Sequence, residues 1–170
     1  MFWVLLLLLA AGVAHADRPQ LGLRVGVHAS GFLAFDDDAP GGAGPALELE
    51  GGRRSGRVSL TAFGTYLRFR DRDVLGINTD EIYDERVDVF GGGGRIARHV
   101  GMAVFGGGLG FQSVRRRGGE FDGWETTILL ELIAGVEIDT GNPHYKVTLG
   151  GALTVGLVGN ARAMLGFQWE

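Results

Sequence analysis

Tyr145-Lys146-Val147-Thr148-Leu149-Gly150-Gly151-Ala152-Leu153-Thr154-Val155-Gly156-Leu157 alternates between large apolar residues and small or polar ones. Every odd position except Gly151 is large and apolar, and the even positions hold Lys, Thr, Gly, Ala, Thr and Gly. A period of two makes a strand with one apolar and one polar face. The run is roughly twice as long as an ordinary soluble strand. A tilted strand crosses a membrane in about 9–11 residues, so this one is long enough to span.

The same texture predicts eight strands, near 20–35, 45–52, 56–70, 85–97, 101–115, 124–138, 144–157 and 161–169. No segment carries a helical period. Parity assigns faces consistently. Leu21, Leu23, Val25, Val27 and Ala29 oppose Gly22, Arg24, Gly26, His28 and Ser30. In the third strand Val58, Leu60, Ala62, Gly64 and Tyr66 oppose Arg57, Ser59, Thr61 and Thr65, with Phe63 as the exception. Thr126, Ile128, Leu130, Leu132, Ala134, Val136 and Ile138 oppose Thr127, Glu131, Gly135 and Glu137, and Ala163, Leu165, Phe167 and Trp169 oppose Arg162, Met164, Gly166 and Gln168. The expected fold is an all-β, eight-stranded antiparallel up-and-down transmembrane barrel.

Parity alone does not separate a lipid-facing barrel from a soluble one with its faces reversed. The polar face does. It carries Arg24, Glu48, Glu50, Arg57, Arg86, Asp88, Glu131, Glu137, Lys146 and Arg162, mixed in sign and spaced by glycine and threonine. A narrow lumen needs such small residues and paired charges, whereas a soluble surface carries more charge and less glycine. The aromatic residues agree: Tyr145, Phe167 and Trp169 fall at one end of the apolar face, and Phe35, Tyr66, Phe111 and Trp124 at the other. Two aromatic belts suit two membrane–water interfaces.

The N-terminus reads as an export signal. Val4 to Leu9 is apolar, and Ala14-His15-Ala16 has the small-x-small pattern that precedes cleavage. The expected division is a signal over 1–16, cut after Ala16, and a barrel over 17–170, although no Lys or Arg precedes the apolar core. An uncleaved anchor is the other reading, but the stretch is short of the roughly 20 residues a helix needs to span. The net charge of −4 argues against nucleic acid as a partner, and the absence of cysteine excludes disulfide and thiolate chemistry.

Connections alternate as well. Turns near 51–55, 98–101 and 140–143 are short, while the loops at 36–44, 71–84 and 116–123 are longer, and the last, near 158–160, is short. A near-repeat, Val89-Phe90-Gly91-Gly92-Gly93-Gly94 and Val104-Phe105-Gly106-Gly107-Gly108, marks the fourth and fifth strands. A turn centred near residue 99 would set Gly92 opposite Gly106 and Phe105 over Gly93, a thin patch of wall shielded by a ring. A binding groove is the alternative account of those glycines.

These features together resemble the small eight-stranded outer-membrane barrels of Gram-negative bacteria, the OmpA/OmpX type. The resemblance spans residues 17–170 and is one of pattern. It includes the final alternating segment Leu165-Gly166-Phe167-Gln168-Trp169-Glu170, which departs from the type at Glu170, where an aromatic residue is usual. It implies an outer-membrane location, termini in the periplasm, partnership with outer-membrane lipid and lipopolysaccharide, and handling by the barrel assembly machinery.

Chemistry-bearing motifs are sparse. His28-Ala29-Ser30 puts an imidazole and a hydroxyl on one face, the only support for a lipid-modifying enzyme, and no third group orients the base. Gly92-x-Gly94-x-x-Ala97 matches a relaxed dinucleotide fingerprint but lacks the helix that the motif requires. Asp36-Asp37-Asp38 lacks the spaced ligands of a calcium loop, and His28, His99 and His144 have no zinc-ligand spacing. No cofactor or metal is expected. Arg115-Arg116-Arg117 is the strongest functional candidate, because arginine forks suit phosphate and this run falls where the fifth strand leaves the membrane. The expected role is non-enzymatic, structural or surface-interacting through the outer loops. A narrow pore and a soluble ligand-binding barrel are the remaining alternatives.

Overall fold

The computed structural model describes residues 19–31, 40–75, 82–118 and 123–170. Ala14, Ala16, Phe35 and the Asp36–Asp38 run lie outside the described residues, as does the expected signal over 1–16. Eight strands follow one another: β1 Pro19–Ser30, β2 Gly42–Ser55, β3 Val58–Leu75, β4 Ile82–Val100, β5 Ala103–Arg117, β6 Gly123–Asp139, β7 Tyr145–Val155 and β8 Asn160–Trp169. Each pairs with its sequence neighbour, and β8 pairs with β1 to close the barrel. Closure leaves no edge strand and pairs the backbone along every seam, which a lipid environment demands.

One end of the barrel carries tight turns. Gly56-Arg57 joins β2 to β3 and Gly101-Met102 joins β4 to β5; the two glycines take φ of 57° and 62°, a backbone that favours glycine. Both turns lie later than the sequence spacing places them, and residues 51–55 and 98–100 belong to strands. The register of β4 on β5 shifts with the turn. Gly93 faces Gly110, Gly92 faces Phe111, and Phe105 faces Arg98. The expected cover of Phe105 over Gly93 is therefore not formed. The first strand also stops at Ser30, short of residue 35.

The wall is inside-out relative to a soluble barrel. Leu21, Val27, Ile96, Leu109, Leu132 and Phe167 are all more than half exposed, while Glu48, Arg95, Glu131 and Gln168 are buried. Around the barrel, Leu23, Leu49, Leu60, Ile128, Leu130, Leu149 and Leu165 continue the exposed apolar belt. Exposed apolar patches on soluble monomers are seldom more than a few hundred Å². A belt all the way round belongs against hydrocarbon, with the polar groups satisfied inside.

Candidate functional site: the sealed lumen and the arginine rim

The lumen is filled in three tiers. In the middle, Arg24, Arg95 and Arg162 meet Glu48, Glu50 and Glu131. Arg24 reaches Glu48 at 3.1 Å and Glu50 at 2.6 Å. Arg95 bridges the lumen to Glu48 at 3.0 Å, Glu50 at 2.9 Å and Glu131 at 2.8 Å. Arg162 pairs with Glu131 and also lies 3.5 Å from Glu48. Three cations balance three carboxylates, as buried charge requires. The guanidinium of Arg95 sits 4.4 Å above the Phe63 ring, which accounts for the one apolar side chain on the polar face of β3.

The tier at the turn end is also ionic. Arg54 contacts Glu137 at 2.9 Å and Glu170 at 3.1 Å, and Lys146 contacts Glu170 at 3.0 Å and Glu137 at 3.5 Å. His99 lies between Glu137 at 3.2 Å and the Ser59 hydroxyl at 3.0 Å. Glu170 turns its side chain into this mouth and accepts a further bond from Gln20 at 3.0 Å. Burial opposes its ionisation, but the Lys146 and Gln20 hydrogen bonds, with Arg54 close by, hold its carboxyl below the ordinary value. The residue that departs from the aromatic pattern is thus a polar tie between β1, β2 and β7.

The tier at the loop end is apolar: Leu67, Phe69, Val87, Val89 and Val114 face inward and pack on one another. Val158, from the β7–β8 connection, is fully buried among them. Its amide donates to Gln112 Oε1 at 2.8 Å, and its carbonyl accepts from Gln112 Nε2 at 3.0 Å. One side-chain amide thereby clamps the connection as a stopper. His28 lies beside this tier, its Nδ1 2.9 Å from the Ser30 hydroxyl, its Nε2 3.4 Å from the Arg68 carbonyl, and its ring edge-on to Phe69. The histidine–serine pair forms, but His28 is buried, Ser30 is half-buried, and the second ring nitrogen meets a backbone carbonyl rather than a carboxylate.

Seven of the ten expected lumen charges are found there. Arg57, Arg86 and Asp88 are not. Arg57 is exposed in the β2–β3 turn. Arg86 and Asp88 sit on the outward face of β4, because β3 and β4 run beyond the apolar belt and reverse their pattern: past Tyr66 the apolar residues turn inward and the charges outward. Arg95, Arg54 and Glu170 are lumen charges, and His99 a buried lumen imidazole, that the sequence reading missed.

That outward surface is the second site. Arg70, Arg86 and Arg117 stand side by side on β3, β4 and β5. One step nearer the belt, Arg68, Asp88, Arg115 and Trp124 form the next row across β3 to β6. Asp88 is 2% exposed under the groups that cover it. It takes Arg68 at 3.2 Å, Arg117 at 3.3 Å and the Tyr66 hydroxyl at 2.7 Å. Arg115 stacks 5.4 Å from the Trp124 ring. From Trp124 the next row toward the belt continues through Phe90 to Tyr66, an aromatic ladder with centroids 5.7 and 4.9 Å apart. The Arg115–Arg117 run is split: Arg115 and Arg117 face outward, and Arg116 faces inward, where it neighbours Glu85. Phe111 is outward but level with the glycines in mid-wall, so Phe90 takes its place in the belt. At the turn end Tyr145 and Trp169 pair across β7 and β8, with Phe167 one step deeper.

No family model matches the chain, and no curated protein matches it. Solved structures do. Neisserial surface protein A superposes with a TM-score of 0.61 at 14% identity, covering 89% of this chain and 95% of that one. Ail of Yersinia pestis, in complex with the heparin analogue sucrose octasulfate, gives 0.51 at 11% identity over 89% and 98% of the two chains. The same Yersinia outer-membrane protein in a phospholipid bilayer nanodisc gives 0.50 at 12% identity over 89% and 99%. At these identities the likeness is one of fold, and the fold is that of the small eight-stranded outer-membrane β-barrels.

Proposed function

We propose that the protein is a non-enzymatic barrel of a Gram-negative outer membrane, with its termini and short turns in the periplasm, and that its loop-end rim binds the anionic groups of lipopolysaccharide. One observation carries this reading: Arg70, Arg86 and Arg117 are neighbours on three adjacent strands. Like charges directly opposite each other destabilise a sheet. Among the described residues Arg70 and Arg86 have no ion-pair partner, and Asp88 alone offsets the five arginines of the two rows. Phosphates at the level of the headgroups would relieve the repulsion, and the guanidinium fork suits them. The aromatic ladder just beneath supports the same depth, since Tyr and Trp favour the interface. The filled lumen counts against a pore, and the burial of His28, with a backbone carbonyl where a third catalytic group would stand, counts against lipid chemistry.

The test is binding of purified, refolded barrel to lipopolysaccharide, comparing wild type with the triple variant Arg70→Gln, Arg86→Gln, Arg117→Gln. Each charge-assisted hydrogen bond contributes about 1.5–3 kcal/mol, so the variant should bind at least roughly tenfold more weakly. Affinity should also fall with added salt. Equal binding by both proteins would refute the proposal.

A further inference from the structure

The outer wall has a dent. Across β2, β3 and β4 the outward positions Gly51, Ala62 and Gly94 are direct neighbours, and Gly92 stands one step above Gly94. None of these carries a side chain beyond a methyl. A Cβ on Gly94 would meet nothing within 4 Å. Leu109, Phe111 and Ile128 rise along the β5–β6 side and Leu60 stands at the turn end, bounding a groove of about 720 Å³. The strand geometry below the floor keeps it sunken. On the inward side Gly93 and Gly110 face each other so closely that a Cβ on either would collide with a backbone carbonyl of the opposing strand.

Arg53 lines the turn end of this groove. It lies on the outward face of β2 beside Leu60, and no hydrogen bond or ion pair engages it among the described residues. Arg98, also outward and exposed, lies one step closer to the turns on β4, and Arg57 is exposed in the adjacent turn. An unpaired cation on a lipid-facing wall is costly near the midplane and tolerated near the interface, where its long stem lets the charge reach headgroups. A groove that is apolar along its length and cationic at one end complements a molecule with a hydrocarbon chain and a phosphate.

We infer that this groove holds one ordered acyl chain of an anionic phospholipid from the leaflet on the turn side, with the phosphate on Arg53. The site is separate from the arginine rim, which lies at the other end of β3 and β4, so it stands whether or not the rim binds lipopolysaccharide. A second copy of this chain is the competing occupant, because small residues let backbones approach closely in lipid.

Native mass spectrometry of the barrel released from detergent with equal phosphatidylglycerol and phosphatidylethanolamine tests the inference. The wild type should retain one phosphatidylglycerol in preference to phosphatidylethanolamine. Gly94→Leu projects into the open groove and should reduce the retained lipid by roughly tenfold. Ala62→Leu, filling the same floor from β3, should do likewise if Gly94→Leu does not fold, and folding is checked by the heat-dependent gel shift. Arg53→Gln should abolish the preference for phosphatidylglycerol while leaving chain binding. Equal adducts in wild type and the filled variants would overturn the inference. So would a wild-type dimer that Gly94→Leu dissociates. Phosphatidylglycerol with a photoreactive acyl chain gives a readout independent of any variant: crosslinks should concentrate at Leu109, Phe111 and Ile128, and uniform labelling around the belt would refute the assignment.

Discussion

Arg95 holds the lumen together at the scale of a single residue. Its guanidinium donates to Glu131 at 2.9 Å, to both oxygens of Glu48 at 3.0 and 3.1 Å, and to Glu50 at 2.9 Å. The planar fork reaches three carboxylates from three directions, which an ammonium on a flexible stem would not do. Substituting one member of a buried charge network leaves the others uncompensated and typically costs about 3–5 kcal/mol. Arg95→Gln should therefore lower the unfolding free energy by about that amount, measured by urea titration of the refolded barrel in micelles. Arg53→Gln, on the outer wall, should change it by less than about 0.5 kcal/mol. A loss below about 1 kcal/mol for Arg95→Gln would mean that the network relaxes around the gap. Arg95 was hard to see in the sequence because it ends a run of four glycines, Gly91 to Gly94. On its own face it is flanked by Gly93 and Ala97, so the stretch reads as a glycine-rich repeat rather than as a site of charge.

At the scale of the element, β3 and β4 are single strands that pass through two solvents. Up to Tyr66 the outward residues of β3 are apolar or small; beyond it they are Arg68 and Arg70, while Leu67 and Phe69 point inward and are buried. β4 repeats the change between Phe90 and Asp88. An apolar lining with a charged exterior is the pattern of a strand in water. The reversal thus marks the membrane boundary to within a residue or two, and it explains why parity alone groups Arg86 and Asp88 with the lumen charges. Period-two parity was right throughout, but the meaning of the two faces changes where the lipid ends. The alternation was legible on β6, β7 and β8, which carry it across their apolar segments. It was least informative on β3 and β4, the 18- and 19-residue strands. The chain has no cysteine, so single introduced thiols report the boundary without background. In proteoliposomes Arg70→Cys and Arg86→Cys should react with a charged maleimide within minutes. Leu60→Cys and Ile96→Cys, in the belt, should remain unreacted under the same conditions. Comparable rates at all four positions would move the boundary and remove the basis for a headgroup-level rim.

At the scale of the whole molecule, eight strands enclose a space only just wide enough for side chains, and here the inward glycines do not reopen it. The space beside Gly91 is occupied by Thr65 and Leu129, and that beside Gly108 by Phe63 and Glu131. The stopper at Val158 was invisible to periodicity, because the connection that carries it has no repeat and reads as a short loop. Its position depends on Gln112, which is 46 residues away in sequence. Three tiers fill the lumen in series: an apolar plug at the loop end, a balanced ion network across the middle, and a second ionic cluster at the turn mouth. Planar bilayers containing the wild-type barrel should therefore show no current steps. Gln112→Ala releases the stopper but leaves both ionic tiers in place, so it should stay silent too. Steady steps in the wild type would make the lumen a conduit and reverse the functional reading. Steps that arise only in Gln112→Ala would instead identify Val158 as the sole barrier and the ion network as the lining of a pathway, because closure would then reside in one connection rather than in the packed interior.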